Sequence, residues 1–216
     1  MNRPYVIVNC AMSADGKIAL PNRSQMRISS DEDMKRVYHL RNQCDAVLVG
    51  IGTVLADDPK LTVKKSLVPN PSQPLRVVLD AKGRIPSTAL VVNNDAKTMI
   101  FTTSKHKDLI KVNYANVYIC PEEKPGFLDL TIILETLYDN GVKSLLVEGG
   151  STVIWSFFRQ NLVDEFYVYI APFIIGGERT PTVAGGKGIV NEKEKIQLRL
   201  CDIQKMDIGV LLHYTR

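Results

Sequence analysis

KSLLVEGGSTVIWSFF, residues 143–158, joins a short apolar run to an amphipathic one across a glycine pair. Residues 144–147 (SLLV) are few and apolar enough for a strand buried on both faces. Val153, Ile154, Phe157 and Phe158 then recur at helical spacing, with Trp155 off that stripe. Between strand and helix stand Gly149 and Gly150, which permit a tight turn and expose backbone N–H groups at a helix start, where the dipole favours an anion. Ser151 or Thr152 can cap that helix or offer a hydroxyl. Glu148 puts a carboxylate at the carboxyl end of a buried strand, where open α/β sheets hold their ligands. A plain connection with a solvated Glu148 accounts for the stretch equally well, because one Gly-Gly pair is far weaker than a full dinucleotide fingerprint.

Upstream, residues 5–9 (YVIVN) are rich in β-branched side chains and read as the first strand, which ends before an Asp15-Gly16 turn. Ser30 precedes Asp31, Glu32 and Asp33, acidic residues suited to a helix start. That helix runs to Gln43 with Met34, Val37, Tyr38 and Leu40 as its apolar face and Arg41 near its end. Residues 45–50, 75–80, 98–102 and 116–119 read as further strands, and Gly50 and Gly52 allow close backbone approach after the first of these. Residues 128–140 read as a helix closed by Gly141. Downstream, residues 165–171 alternate in part, 172–188 form a long Gly-rich loop, and 197–203 with 210–214 suggest an antiparallel hairpin. Strands alternating with helices before a closing hairpin predict an α/β fold, a mostly parallel sheet with flanking helices.

With 216 residues, 45% hydrophobic and 23% charged, the chain can bury a sizeable core. No linker divides it, so residues 1–216 are expected to be one domain. Its net charge of +4 comes from 27 basic residues interleaved with 23 acidic ones, and aromatics are 7%. That balance argues against a nucleic-acid stripe and leaves small anionic ligands open. Cys10, Cys44, Cys120 and Cys201 form no C-x-x-C pair, and His39, His106 and His213 form no ligand-like cluster, so neither a metal nor a disulfide framework is expected. The first residues lack a cleavage-like site and the length to span a bilayer, so a soluble cytoplasmic protein is expected.

Four stretches together carry a resemblance: NCAMSADGKIAL (9–20), VLVGIGTVLADDPKLTV (47–63), RVVLDAKGRIP (76–86) and LLVEGGSTVIWSFFRQNLVDEFYVYIAPFIIGG (145–177). They resemble the reductase family of riboflavin biosynthesis, more narrowly its archaeal and fungal branch. The combination of GIGTVLADDP with VEGG is specific where no single motif is. The resemblance implies a dihydrofolate-reductase-like fold, a homodimer, and NADPH-dependent reduction of a phosphorylated ribosylamino-pyrimidine to its ribitylamino form. Bacterial relatives carry a zinc deaminase domain with H-x-E and P-C-x-x-C motifs. Neither motif occurs here, so a reductase without a fused deaminase is expected.

By the same resemblance, Thr53 and Asp57 contact the cofactor, Asp80, Ala81 and Lys82 line its course, and Gly149, Gly150, Ser151 and Thr152 cradle its pyrophosphate. Asp57-Asp58-Pro59 also fits a simple capped turn. Lys82 and Arg84 are cations available to a 2′-phosphate, whereas Asp80 suits the 2′-hydroxyl of NADH, so NADH stays open as a second cofactor. Ser24, Arg41, Leu61, Lys64 and Glu148 face the substrate, with Glu148 also the candidate catalytic group. Arg41 and Lys64 suit a phosphate. Lys64 stands where the bacterial relatives have Arg, and Met26 and Arg27 where they have an aromatic. Two other functions fit the scaffold: a dihydrofolate reductase, and a non-catalytic nucleotide-binding regulator.

Overall fold

The computed structural model describes residues 2–22, 24 and 26–216. In chain order the elements are β1 (Tyr5–Ser13), α1 (Asp31–Gln43), β2 (Ala46–Gly50), α2 (Ile51–Asp57), β3 (Leu75–Leu79), β4 (Thr98–Thr102), β5 (Asn116–Ile119), β6 (Glu122–Lys124), β7 (Phe127–Leu128), α3 (Leu130–Asp139), β8 (Ser144–Gly149), α4 (Ser151–Arg159), β9 (Glu165–Ala171), β10 (Arg199–Met206) and β11 (Gly209–Thr215). Two compact units share them. One holds the chain as far as Tyr5 with Tyr38–Leu146, the other Val6–Val37 with Val147–Arg216.

In the first unit, β2, β3, β4 and β5 lie side by side in that order, each parallel to the next. Every residue of β2 and β4 is buried, as continuous apolar runs require of strands covered on both faces. Arg76 on β3 is an exception, a fully buried cation. Its Nε donates to Thr98 Oγ1 at 2.9 Å, and its terminal nitrogens donate to Asn93 Oδ1 at 2.8 Å and to the Asn93 and Ala96 carbonyls at 2.6 and 2.5 Å. That saturation with oxygen acceptors is what makes a buried guanidinium tolerable. Asp45, just before β2, accepts the N–H groups of Lys143 and Ser144 at 2.8 and 2.9 Å, which ties the start of β2 to the start of β8.

Three local readings change. Gly50 ends β2 as expected but is also the N-cap of a helix, α2, that the sequence did not announce, and Gly52 lies in its first turn. The helix expected over 128–140 begins at Leu130, because Asp129 caps it, accepting the N–H groups of Thr131 and Ile132. Leu128 belongs to a short hairpin, β6 with β7, that the sequence did not announce.

In the second unit the order is β10, β11, β9, β1. β1 and β9 are parallel, and the C-terminal hairpin joins β9 antiparallel through β11. The expected fold class is present over the two units: β1–β9, β2–β3, β3–β4 and β4–β5 pair in parallel, and the antiparallel pairings are those of the C-terminal hairpin and of the short β6–β7 hairpin. Ser30 starts α1 as expected, its Oγ accepting the Asp33 N–H at 3.2 Å. α4 buries Ile154, Phe157 and Phe158, and Phe158 meets Phe166 of β9 edge-on with centroids 5.3 Å apart. The four cysteines form no disulfide. Among the described residues, no helix is long and apolar enough to cross a membrane.

Candidate active site

In the first unit, Thr53 and Asp57 stand four residues apart on α2 and so share one face of it. Both are half-buried, and burial raises the Asp57 pKa. Asp58 is the structural member of the Asp-Asp-Pro turn. It closes α2 in the left-handed conformation at φ 40°, and its Oδ1 accepts the Leu90 N–H at 2.8 Å.

Asp80 follows β3 and is completely buried. Its Oδ2 accepts the Ile85 N–H at 2.8 Å, closing the turn that carries Ala81, Lys82 and Arg84. Its Oδ1 is buried and has no protein partner. The Ala81 carbonyl accepts the Thr103 hydroxyl at 3.2 Å, while Lys82 and Arg84 are exposed. The carboxylate thus shapes the turn from within, and the cations face outward.

Arg41 and Lys64 are brought together. The Arg41 guanidinium carbon and the Lys64 Nζ each lie 5.3 Å from the centroid of the Tyr38 ring. Arg41 also donates to the Thr62 carbonyl at 3.2 Å. Leu61 is only 2% exposed and sits at φ 52°, so its side chain belongs to the core and the neighbouring backbone turns sharply. Gln73, which sequence reasoning passed over, bonds both backbone groups of Val63 in this stretch. An amide side chain in a Pro-rich loop gives no periodic signal that would have singled it out.

In the second unit, Glu148 is half-buried and is the penultimate residue of β8. Gly149 at φ 145° and Gly150 at φ 56° then make the turn into α4, in backbone conformations that residues with a Cβ adopt only under strain. The N-cap is Gly150 and no side chain caps the helix, so neither Ser151 nor Thr152 has the capping role expected of it. The first N–H groups of α4 are left to a ligand or solvent. Ser24 is exposed and donates its hydroxyl to Asn22 Oδ1 at 2.7 Å. Met26 is half-buried, and Arg27 pairs with Asp31. Asp15, also missed from sequence, accepts the Ser13 hydroxyl at 2.6 Å and the N–H groups of Ile175 and Gly176 at 3.1 and 2.7 Å.

The model of the RibD C-terminal domain family matches residues 4–212. The chain is 43% identical over 217 residues to the 2,5-diamino-6-ribosylamino-4(3H)-pyrimidinone 5′-phosphate reductase of Archaeoglobus fulgidus, an overlap of 95% of this chain and 93% of that one. It is 40% identical to the reductase of the same name from Methanothermobacter thermautotrophicus, over 99% of this chain and 98% of that one. Among solved structures, Acinetobacter baumannii RibD matches with a TM-score of 0.83 at 27% identity, covering 100% of this chain and 58% of that one. Dihydrofolate reductase from Enterococcus faecalis matches with a TM-score of 0.52 at 13% identity, covering 98% and 96%. At that identity the likeness is one of fold alone.

Proposed function

The chain belongs to the RibD C-terminal domain family, and from that membership we propose that it reduces the ribosyl side chain of 2,5-diamino-6-ribosylamino-4(3H)-pyrimidinone 5′-phosphate to the ribitylamino product in riboflavin biosynthesis. The observation that carries this reading is the near-complete overlap, in both directions, with two reductases of that name at 43% and 40% identity. Dihydrofolate reduction has only a shared fold in its favour. One family model spans residues 4–212, which supports a single reductase domain. The proposal extends to a cytoplasmic location and to a homodimer, the latter supported by β10, where Leu200 is 47% and Ile203 60% exposed.

The residues present fit a nicotinamide dinucleotide, because the Gly149-Gly150 turn leaves backbone donors at the start of α4 without a side-chain cap. NADPH, when bound, supplies the hydride that C1′ of the opened sugar accepts. Gly149, Gly150, Ser151 and Thr152 would hold its pyrophosphate, and Thr53, Asp57, Ala81 and Lys82 would line its course. Asp80 acts by shaping the Ala81–Lys82 turn. With Asp80 buried and Lys82 and Arg84 exposed, cations are the groups available to the ribose edge, which favours the 2′-phosphate of NADPH.

On the substrate side, Arg41 and Lys64 would anchor the 5′-phosphate through a guanidinium fork and a point charge. Each cation lies against the Tyr38 ring, which limits where it can swing. Ser24 and, through its neighbouring backbone, Leu61 are the other residues proposed to face the substrate. The ribosylamine ring must open to an imine before its C1′ can be reduced, and Glu148 would orient the open chain and relay the proton that this opening moves. The test is to supply the purified chain with NADPH and either the diaminopyrimidine phosphate or dihydrofolate. Oxidation of NADPH with the pyrimidine and none with dihydrofolate supports the proposal, and the reverse overturns it.

A further inference from the structure

The long Gly-rich loop after β9 returns onto the first turn of α4. Gly185 donates its N–H to the Ser151 carbonyl at 3.1 Å. A Cβ built on Gly185 overlaps Ser151 Oγ and lies 3.2 Å from Ser151 Cβ, so it would enter only if the Ser151 hydroxyl turned out of its present position. At Gly186, a Cβ would lie 2.8 Å from Trp155 Cδ1. The root of the loop is held as well, by the Asp15 carboxylate on the Ile175 and Gly176 N–H groups, and by the Ile18 N–H on the Pro181 carbonyl at 3.0 Å. Lys17 and Thr182 add a β-bridge. The two glycines therefore form a strap pressed against α4, anchored at its base.

From this contact we infer that Gly185 and Gly186 are positioning residues for Ser151, holding its hydroxyl and the first turn of α4 in the arrangement that receives the cofactor diphosphate. The inference rests on the assignment of residues 149–152 to the cofactor. A serine hydroxyl at a helix start has several staggered positions open to it. Backbone packed against it on one side removes some of them before the ligand arrives, so less freedom is lost on binding. Gly185 lies outside the left-handed region, so alanine suits its backbone and the overlap with Ser151 is the whole effect of the substitution.

The test is a double-mutant cycle on the full chain, read as the NADPH dissociation constant by titration calorimetry, with the thermal midpoint recorded alongside. Gly185→Ala is expected to weaken NADPH binding by at least about 10-fold. Ser151→Gly removes both overlapped atoms and one donor, and is expected to weaken it by roughly 3- to 10-fold. The double variant should then bind as Ser151→Gly does, because the only group the new methyl disturbs is gone. Losses that multiply, or parental affinity in Gly185→Ala, overturn the inference. Should Gly185→Ala fail to fold, Ser151→Thr enlarges the side chain facing the same gap while keeping the hydroxyl. Weaker NADPH binding in that variant supports the strap, and unchanged binding overturns it. The underlying assignment fails separately: parental affinity in both Ser151→Gly and Gly150→Ala would remove the cradle, and the strap's role with it.

Discussion

The side-chain amide of Gln73 brackets Val63, its Oε1 accepting the Val63 N–H at 2.8 Å and its Nε2 donating to the Val63 carbonyl at 2.9 Å. A neighbouring strand would make the same two bonds, so Gln73 fixes the backbone between Leu61 and Lys64 where no strand lies beside it. Each such bond contributes about 0.5–1.5 kcal/mol. Gln73→Leu is expected to lower unfolding free energy by about 1–3 kcal/mol and to raise KM for the phosphorylated substrate while leaving NADPH affinity unchanged. Denaturant unfolding and steady-state kinetics on the same preparation measure both. A stability loss with an unmoved substrate KM would separate Gln73 from the site.

Arg41 is expected to be the principal anchor of the substrate phosphate. Arg41→Met keeps the apolar stem over Tyr38 and removes the fork. At about 1.5–3 kcal/mol for a charge-assisted bond, kcat/KM for the phosphorylated substrate should fall roughly 10- to 150-fold. The dephosphorylated substrate, already poor, should lose little more. Equal losses for the two substrates would make Arg41 a structural residue that holds the Thr62 carbonyl.

Glu148→Gln preserves size and removes the charge. If the carboxylate relays a proton, kcat/KM should drop by ~10²-fold or more, with calorimetric NADPH affinity intact. Kinetics close to those of the parent would leave Glu148 as no more than the end of a strand.

Asp15 supplies an acid dependence local to the strap, through its bonds to the Ile175 and Gly176 N–H groups. Its pKa is lowered to about 2, chiefly by the Ser13 hydroxyl and then by the Ile175 N–H. An unfolded aspartate titrates near ~4. The folded value is the lower one, so the stabilisation is complete above pH ~4 and is lost as pH falls towards about 2. Fluorescence of Trp155, the single tryptophan, should report the strap loosening over that window. In Asp15→Asn the same window should be flat, and a transition that persists there would belong to another group.

Much of the fold was legible because its strands are short apolar runs and its helices carry local start signals such as Ser30 and Asp31. The start of α3 was missed by two residues, although Asp129 ahead of LTIILETL is itself a capping signal. α2 was missed because a seven-residue helix containing Gly52 shows too little periodicity. The VEGG turn was readable from its two glycines, whose positive φ values now give the reason for them. Gln73, Asp15 and Gly185 were not readable. Their roles come from bonds or close approaches to residues distant in the chain, such as Ile175 for Asp15, and local sequence pattern carries no trace of such partners.

Substrate choice is decided by a competition between the 2,5-diamino pyrimidine phosphate and its deaminated 5-amino-uracil counterpart, each offered with NADPH and followed by mass analysis of the products. The diamino substrate is expected to be reduced to its ribitylamino form with the higher kcat/KM. Reduction of the deaminated substrate alone would contradict that expectation.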